Sequence, residues 1–204
     1  MSKVVLDVSV SLDGFTAGPN VRRAEPMGDG GEFLHSWMSG TESADESANE
    51  VDRTIRGEVD DSVGAVIIGR RTFDLGLEPW GGTPWPGKAS FVVTHRARPD
   101  LVGDNGGTFA FTGLREAVAR ARAAAGAKDV VVLGSDVARA LLRANLLDEV
   151  HLHVAPFLLG SGTRLFAGEQ AALVPARAPR GGSANHLRYR VAPRPGPVGW
   201  TMAG

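Results

Sequence analysis

Short apolar segments alternate along this chain with stretches in which apolar residues recur every three or four positions. The apolar segments predict strands at residues 3–11, 65–68, 89–94, 108–111, 130–133 and 150–154. The periodic stretches predict helices at residues 72–77, 114–125 and 137–146. Parallel sheets bury both of their faces under helices, so this alternation predicts an α/β fold with a mainly parallel sheet and helices on both faces.

Two further helices are predicted in the first third of the chain. Residues 32–38 would form a short helix with Phe33, Leu34 and Trp37 on one face. Residues 51–59 would form a second helix, because apolar residues recur there at a spacing of four. Trp37 is then expected to line the core or a pocket wall.

The less regular segments complete the organisation of the chain. Residues 39–50 are acidic and rich in serine and alanine, which is typical of an insertion, and residues 192–204 form a tail rich in proline and glycine. Residues 187–191 predict an edge strand, with which residues 172–177 would pair. We expect residues 1–204 to form a single domain.

Composition and charge narrow the class of protein. The formal net charge is -1, so no general positive field would attract nucleic acid or a membrane. The chain contains no cysteine, which excludes disulfides, thiol nucleophiles and cysteine-ligated zinc. No apolar stretch approaches the ~20 residues that span a bilayer, and the N-terminal apolar segment is too short for a signal peptide. We therefore expect a cytoplasmic protein that acts on a small molecule.

Two predicted strand-to-helix junctions carry the first chemical signal. One strand ends at Gly134 and a helix follows from Ser135 or Asp136; a second strand ends at Gly69 before two arginines. The N-terminus of a helix offers unpaired backbone N–H groups and the positive end of a dipole, which favour a phosphate. Two such junctions in one chain suggest a dinucleotide, although the first is not a G-x-G-x-x-G turn.

Several motifs in a fixed order then resemble a known family. They are Ser11-Leu-Asp-Gly-Phe15, Gly69-Arg-Arg-Thr-Phe73, the segment 86–96, Leu133-Gly-Ser-Asp136 and, after residues 147–150, the segment 159–166. Together they resemble the dihydrofolate reductase superfamily, in the branch similar to the C-terminal reductase domain of the riboflavin-biosynthesis deaminase/reductase. The resemblance implies a dihydrofolate-reductase-like three-layer sandwich with a mixed sheet, NADPH as the cofactor, and a possible homodimer.

The resemblance also implies which residues hold NADPH. The β-strand and loop positions near the nicotinamide are Ser9 and Thr16, and Thr163 lies near the mouth of the site. The phosphate and adenosine positions are Gly69, Arg70, Arg71, Thr72, Gly134, Ser135, Asp136 and Val137, and those near the 2′-phosphate are Thr94, His95 and Arg96. Arginine forks suit a phosphate monoester, which favours NADPH over NADH. The alternative is that these arginines are only solvated surface.

The catalytic residues are not evident from the sequence. His35 and Glu32 are candidates on the predicted helix 32–38, but a dihydrofolate reductase needs a carboxylate at a position where this chain has Leu34. A phosphoribosyl substrate would need basic residues at the mouth, where Arg164 and the loop 21–23 are candidates.

His151 and His153 lie two apart on a predicted strand and face the same side. Without further ligands they favour a structural role at the sheet surface, and we expect no metal site.

The expected function is that of an NADPH-dependent oxidoreductase. It would transfer hydride to a C=N or C=O group of a small conjugated substrate, in the manner of the riboflavin-pathway 5-amino-6-(5-phosphoribosylamino)uracil reductase. The alternatives are an NADPH-binding module with little turnover and a dihydrofolate reductase.

Overall fold

A computed structural model describes residues 2–39, 44–96 and 98–193 of the chain. Its strands are β1 (Val4–Ser11), β2 (Phe15–Ala17), β3 (Val63–Gly69), β4 (Ala89–Val93), β5 (Leu101–Val102), β6 (Thr108–Thr112), β7 (Asp129–Leu133), β8 (Glu149–Ala155), β9 (Thr163–Arg164), β10 (Leu173–Arg177) and β11 (Asn185–Val191). Its helices are α1 (Glu46–Ser62), α2 (Arg70–Gly76), α3 (Leu114–Ala125) and α4 (Ser135–Arg143), and a 3₁₀ helix spans Gly31–Met38.

The central sheet is mixed and mainly parallel, as the sequence predicts. Over the described residues it has nine strands in the order β10-β11-β8-β1-β7-β3-β4-β6-β5. The strands from β8 to β6 in this order run parallel to one another, and antiparallel strands close both edges. A separate small ladder joins β2 to β9.

Helices cover both faces of the sheet because the central strands are apolar on both sides. In β3, Ala65 and Ile67 pack into the cluster that includes α3 and α4, while Val66 and Ile68 pack into a second cluster with Phe73 of α2. The 3₁₀ helix and α1 complete that second layer near β1 and β8. The α/β three-layer prediction is therefore confirmed.

Helix α1 begins earlier than the sequence pattern indicates. Asp45 accepts hydrogen bonds from the backbone N–H groups of Ser47 and Ala48, which is the geometry of an N-terminal cap. Residues 46–50 are thus the first turns of α1 rather than part of an insertion. Of the remaining predicted insertion, residues 40–43 lie outside the described residues, as do residues 194–204 of the predicted tail.

The C-terminal strands pair as predicted, but their order corrects one expectation. β10 pairs with β11 in antiparallel register, and β11 also pairs with β8. The segment 187–191 is therefore an inner strand, and β10 is the edge. Every residue of β10 is exposed, and Pro175 lies within it, where its missing N–H costs little because one side of an edge strand is unpaired.

The segment that carries the candidate catalytic residues is a 3₁₀ helix and not an α-helix. With about three residues per turn, Leu34 and Trp37 share a face and are buried. Phe33 lies on a different face and is 59% exposed. The predicted grouping of Phe33 with the other two was wrong because it assumed 3.6 residues per turn.

Candidate functional site

The predicted cofactor residues meet at one edge of the sheet. Gly69 at the end of β3 pairs with Val93 of β4, and Ile68 pairs with Leu133 of β7. Because these strands are parallel, the segments that follow them leave the same edge side by side. We call the segments 69–72, 94–96 and 134–137 the strand-end rim.

The two glycine junctions of the rim are in direct contact. A Cβ atom on Gly134 would lie 2.3 Å from Oγ1 of Thr72, and one on Gly69 would lie 3.5 Å from the side chain of Val137. Gly134 also has a φ of 106°, in the region that favours glycine. The sequence thus keeps glycine where the turn after β7 must pass close to the start of α2.

The start of α4 is open toward this edge. The first N–H groups of a helix lack partners within the helix, and no side chain of the described residues caps this end. The carboxylate of Asp136, which would repel a phosphate, forms an ion pair with Arg139. The backbone of this turn can therefore donate to an anion.

Thr16, Ser135 and Thr163 come together beside the rim, although they lie far apart in the sequence. The hydroxyl groups of Thr16 and Ser135 are 2.8 Å apart. The Thr16 hydroxyl also lies 3.2 Å from the backbone carbonyl oxygen of Thr163, where it can donate. The loop after β1 is thus tied to the start of α4 and to β9.

The cations near the rim differ in what they contact. Nε of Arg70 donates to both carboxylate oxygens of Asp74, at 3.0 and 2.9 Å. Within the described part of the chain, the side chains of Arg71 and Arg96 form no hydrogen bond or ion pair, and both are exposed. Arg98 stacks over the Phe111 ring at 4.3 Å and was not predicted. Arg71 and Arg96 are therefore the cations available to a ligand.

The remaining rim residues are less constrained. Oγ1 of Thr94 accepts a hydrogen bond from the backbone N–H of Arg96 at 3.1 Å, which shapes the turn after β4. His95 is exposed beside it.

Ser9 occupies a more buried place than a ligand contact would suggest. It is 5% exposed, and its hydroxyl accepts a hydrogen bond from Nε1 of Trp37 at 2.9 Å. The indole thus lies between Ser9 and the 3₁₀ helix. The Ser9 hydroxyl keeps its own proton and one further lone pair for a hydrogen bond to a ligand.

The two candidate catalytic residues lie on the outer side of the 3₁₀ helix. Glu32 and His35 are both solvent-exposed. Protein atoms nevertheless surround the His35 ring closely, and this desolvation, together with nearby His153, lowers the pKa of His35. The imidazole of His35 is consequently neutral at pH 7 and can accept or donate a hydrogen bond.

The candidate basic residues at the mouth have other partners. Arg22 forms ion pairs with Glu25 and Asp29 in its own loop. The guanidinium of Arg164 lies 4.5 Å from the centre of the Phe15 ring. Arg23 is exposed. The mouth therefore does not gather these arginines around one point.

A buried polar network next to Ser9 was missed by sequence reasoning. Nε2 of His153 lies 3.1 Å from Oδ1 of Asp7, and Nδ1 of His153 lies 2.7 Å from Nδ1 of His186. Nε2 of His186 in turn lies 2.7 Å from Oδ1 of Asp52. We call these four residues the histidine network. Alternation along β8 places His151 and His153 on one side, as predicted, and both face Asp7.

Electrostatics favour an ionised carboxylate at one end of this network. Burial alone would raise the pKa of Asp7, but interactions with His153 and His151 outweigh it and hold that pKa well below its usual range. Among the described residues, no group of three or more histidine, aspartate or glutamate side chains is placed to hold a metal ion. None of the helices described here is long and apolar enough to cross a membrane.

Comparison with known proteins is consistent with this architecture. The chain is 29% identical over 164 residues to "Uncharacterized protein YwjB" of Bacillus subtilis, covering 80% of this chain and 82% of that protein. A structure from Shewanella sp. PV-4, described as that of a riboflavin biosynthesis protein, superposes with a TM-score of 0.69 at 21% identity and covers 95% of this chain and all of the other.

Two more solved structures share the fold. A pyrimidine reductase-like protein of Corynebacterium diphtheriae gives a TM-score of 0.57 at 15% identity, with 95% of this chain and 93% of that one covered. RibD of Acinetobacter baumannii gives 0.58 at 20% identity; the match covers 94% of this chain but 58% of RibD. Residues 2–178 match the RibD C-terminal domain family, and the chain belongs to that family.

Proposed function

We propose that this protein is an NADPH-dependent reductase that transfers hydride to a C=N or C=O carbon of a small conjugated substrate. The family supports reductase chemistry, and the observation that carries the cofactor assignment is the spatial order of donors along the sheet edge. From β1 across β7 and β3 to β4, the loop with Thr16 is followed by the Gly134 junction, then by Gly69–Thr72, then by Thr94–Arg96.

This order fits the parts of an extended dinucleotide. Three strand spacings separate β1 from β4, about 14 Å in total. The open start of α4 would receive the pyrophosphate, and Arg71 with the segment 94–96 would bind the 2′-phosphate. Thr16, held by Ser135, would contact the nicotinamide end.

The residues of this chain would orient the reactants and exclude water, while NADPH, when bound, supplies the hydride. Thr16 and the loop 13–20 would fix the ring plane, because the Thr16 hydroxyl is already held by Ser135 and the Thr163 carbonyl. The wall opposite would be the 3₁₀ helix, whose Phe33 is exposed. The neutral imidazole of His35 would accept a hydrogen bond from the substrate or relay a proton from water.

The substrate would be a planar, conjugated ring, as in the riboflavin-pathway reductase that acts on 5-amino-6-(5-phosphoribosylamino)uracil. A dihydrofolate reductase is less well supported, because Leu34 is fully buried and no carboxylate takes its place on that face of the helix.

Titration calorimetry with NADPH and NADH tests the cofactor assignment. We expect NADPH to bind at least tenfold more tightly, since Arg71 and Arg96 are available to the 2′-phosphate. Equal affinities, or no uptake of either cofactor, would refute the proposal.

NADPH oxidation, followed by absorbance, tests turnover across pterins, pyrimidines of the riboflavin pathway and small conjugated imines and carbonyls. We expect oxidation with at least one pyrimidine. Tight NADPH binding without oxidation of any of these compounds would instead identify an NADPH-binding module.

A further inference from the structure

The histidine network is unusual because two imidazole rings face each other through the same kind of nitrogen. Nδ1 of His153 and Nδ1 of His186 lie 2.7 Å apart, so one of them must carry a proton and the other a lone pair. His153 is 2% exposed and His186 is 1% exposed, so solvent water does not reach these nitrogens and each must find its hydrogen-bond partner within the protein.

Asp52 acts as an acceptor at the far end of the network. Its Oδ2 accepts the backbone N–H groups of Gly182 and Ser183, both at 3.0 Å. Its Oδ1 is left for Nε2 of His186, and Asp52 itself is fully buried. Glycine at position 181 allows the backbone to pass this close to Asp52, because a Cβ there would lie 1.6 Å from Oδ1 of Asp52. Nε2 of His186 must therefore be the donor to this carboxylate.

The same reasoning applies at the other end. Asp7 remains ionised, as its lowered pKa indicates, and Oδ1 accepts from Nε2 of His153. Each ring thus carries a proton on Nε2, and the contact between the rings requires one more. Two neutral rings hold two protons, whereas this arrangement needs three.

We propose that His153 and His186 share one additional proton at neutral pH, and that this buried pair is a positioning device for Trp37 and the 3₁₀ helix. The indole of Trp37 stacks on the His153 ring with 4.1 Å between centroids and meets the His186 ring edge-on at 5.1 Å. A positively charged ring under an indole face adds a cation–π attraction to this packing. The helix that it fixes carries Phe33 and His35 on its outer side.

The surroundings of the ring pair oppose a second additional proton. Burial lowers the pKa of His186, and the charge of His153 lowers it further, although Asp52 acts in the opposite direction, so the pair resists a second proton. The titratable and charged groups that face the pair are His35 from the 3₁₀ helix, Asp52 from α1, Asp7 from β1, His151 from β8 and Arg188 from β11.

The proton count has a measurable consequence for stability. The pKa of a histidine in the unfolded chain is about 6.5. At that pH the two unfolded residues together carry one proton more than two neutral rings. Well below that pH they carry two more, and well above it they carry none. The folded pair holds one throughout. Unfolding therefore releases about one proton at pH 8 and takes up about one at pH 5.5. The contribution of the pair to the free energy of unfolding is greatest at a pH of about 6.5.

Nitrogen-resolved NMR of the histidine rings in the whole protein tests the proton count without a mutation. We expect three ring N–H protons on His153 and His186 at pH 7, and the same number throughout the range from pH 6 to 8. Two ring N–H protons on the pair at pH 7, or the loss of one between pH 6 and 8, would overturn the proposal.

The dependence of the free energy of unfolding on pH, measured above pH 7, gives an independent test. Between pH 7 and 9 the pair contributes up to a tenfold rise in the unfolding equilibrium constant per pH unit. His186→Gln should remove that contribution, whereas His151→Gln, on the same strand as His153 but outside the ring pair, should retain it. Equal profiles for the wild type and His186→Gln would contradict the shared proton.

Hydrogen exchange of the Trp37 indole N–H tests the positioning role. In His186→Gln we expect exchange at least tenfold faster than in the wild type, while the Trp85 indole, which donates to Asp60, is unchanged. Unaltered Trp37 exchange would overturn this role. These readouts do not depend on the proposed function. If reductase activity is found, we further expect the variant to raise the substrate KM while leaving the Kd for NADPH unchanged.

Discussion

The strand-end rim follows strands β3, β4 and β7, whereas the histidine network is built on β1, β8, β11 and α1, and the two regions treat polar groups in opposite ways. In the network, buried carboxylates and imidazoles each meet a partner within 3.1 Å. At the rim, the start of α4 has no side-chain cap among the described residues, and Arg71 and Arg96 are exposed without a described partner. A buried polar group must form its hydrogen bonds within the protein, whereas an exposed donor is hydrated by water and can exchange that water for a ligand. The histidine network therefore specifies the structure, and the strand-end rim is suited to binding.

Removing one member of the network should have the largest effect on stability. Asp52→Ala would leave His186 and the N–H groups of Gly182 and Ser183 without an acceptor in the interior. We expect a loss of about 3–5 kcal/mol in the free energy of unfolding, measured with urea. Glu50→Ala, an exposed position on the same helix, is the matched control and should change it by less than about 0.5 kcal/mol. Similar losses for the two variants would mean that the network is not stabilising.

A side chain at the glycine of the rim should have a smaller but still clear effect. Gly134→Ala would place a Cβ 2.3 Å from the Thr72 hydroxyl at a φ of 106°. We expect a loss of about 1–3 kcal/mol in the free energy of unfolding, together with weaker NADPH binding. Adding Thr72→Ala should restore part of the stability, because it removes the clash but not the strained backbone.

Gly113→Ala is the control for this experiment, since its φ is -74° and no atom lies within 4 Å of the new Cβ. A neutral Gly134→Ala would show that the two junctions do not need their close contact.

The two arginines of the rim should differ from each other. Arg71→Gln should weaken NADPH binding about tenfold and leave NADH binding unchanged, because it removes a charged donor that has no described partner. Arg70→Gln should affect NADPH less, and should cost about 0.3–0.5 kcal/mol of stability from its pair with Asp74. Titration calorimetry with both cofactors measures the binding effects and urea unfolding measures the stability, with Arg190→Gln on β11, at the far side of the sheet, as the control. A larger effect at Arg70 would reverse our assignment.

Local patterns predicted most of the fold correctly. Continuous apolar runs indicated strands β3, β4, β6, β7 and β8, and a clear helical period indicated helix α3. The short strands β2, β5 and β9 were missed, since two or three residues are too few to show a pattern of apolar and polar positions. The start of α1 was missed although Asp45 and Glu46 offered the signal of a helix start, because the acidic composition around them was interpreted as an insertion.

The sequence by itself determined the apolar strands, their helical crossovers and the glycines at two strand ends, because each depends on neighbours within a few positions. Only the tertiary structure decided that Gly134 meets Thr72, that Ser9 lies under Trp37, and that His153 meets His186, 33 residues away. These contacts depend on which strands become neighbours and in what register. A shift of one residue would turn His153 to the other face of the sheet, so no local pattern could have predicted its partner.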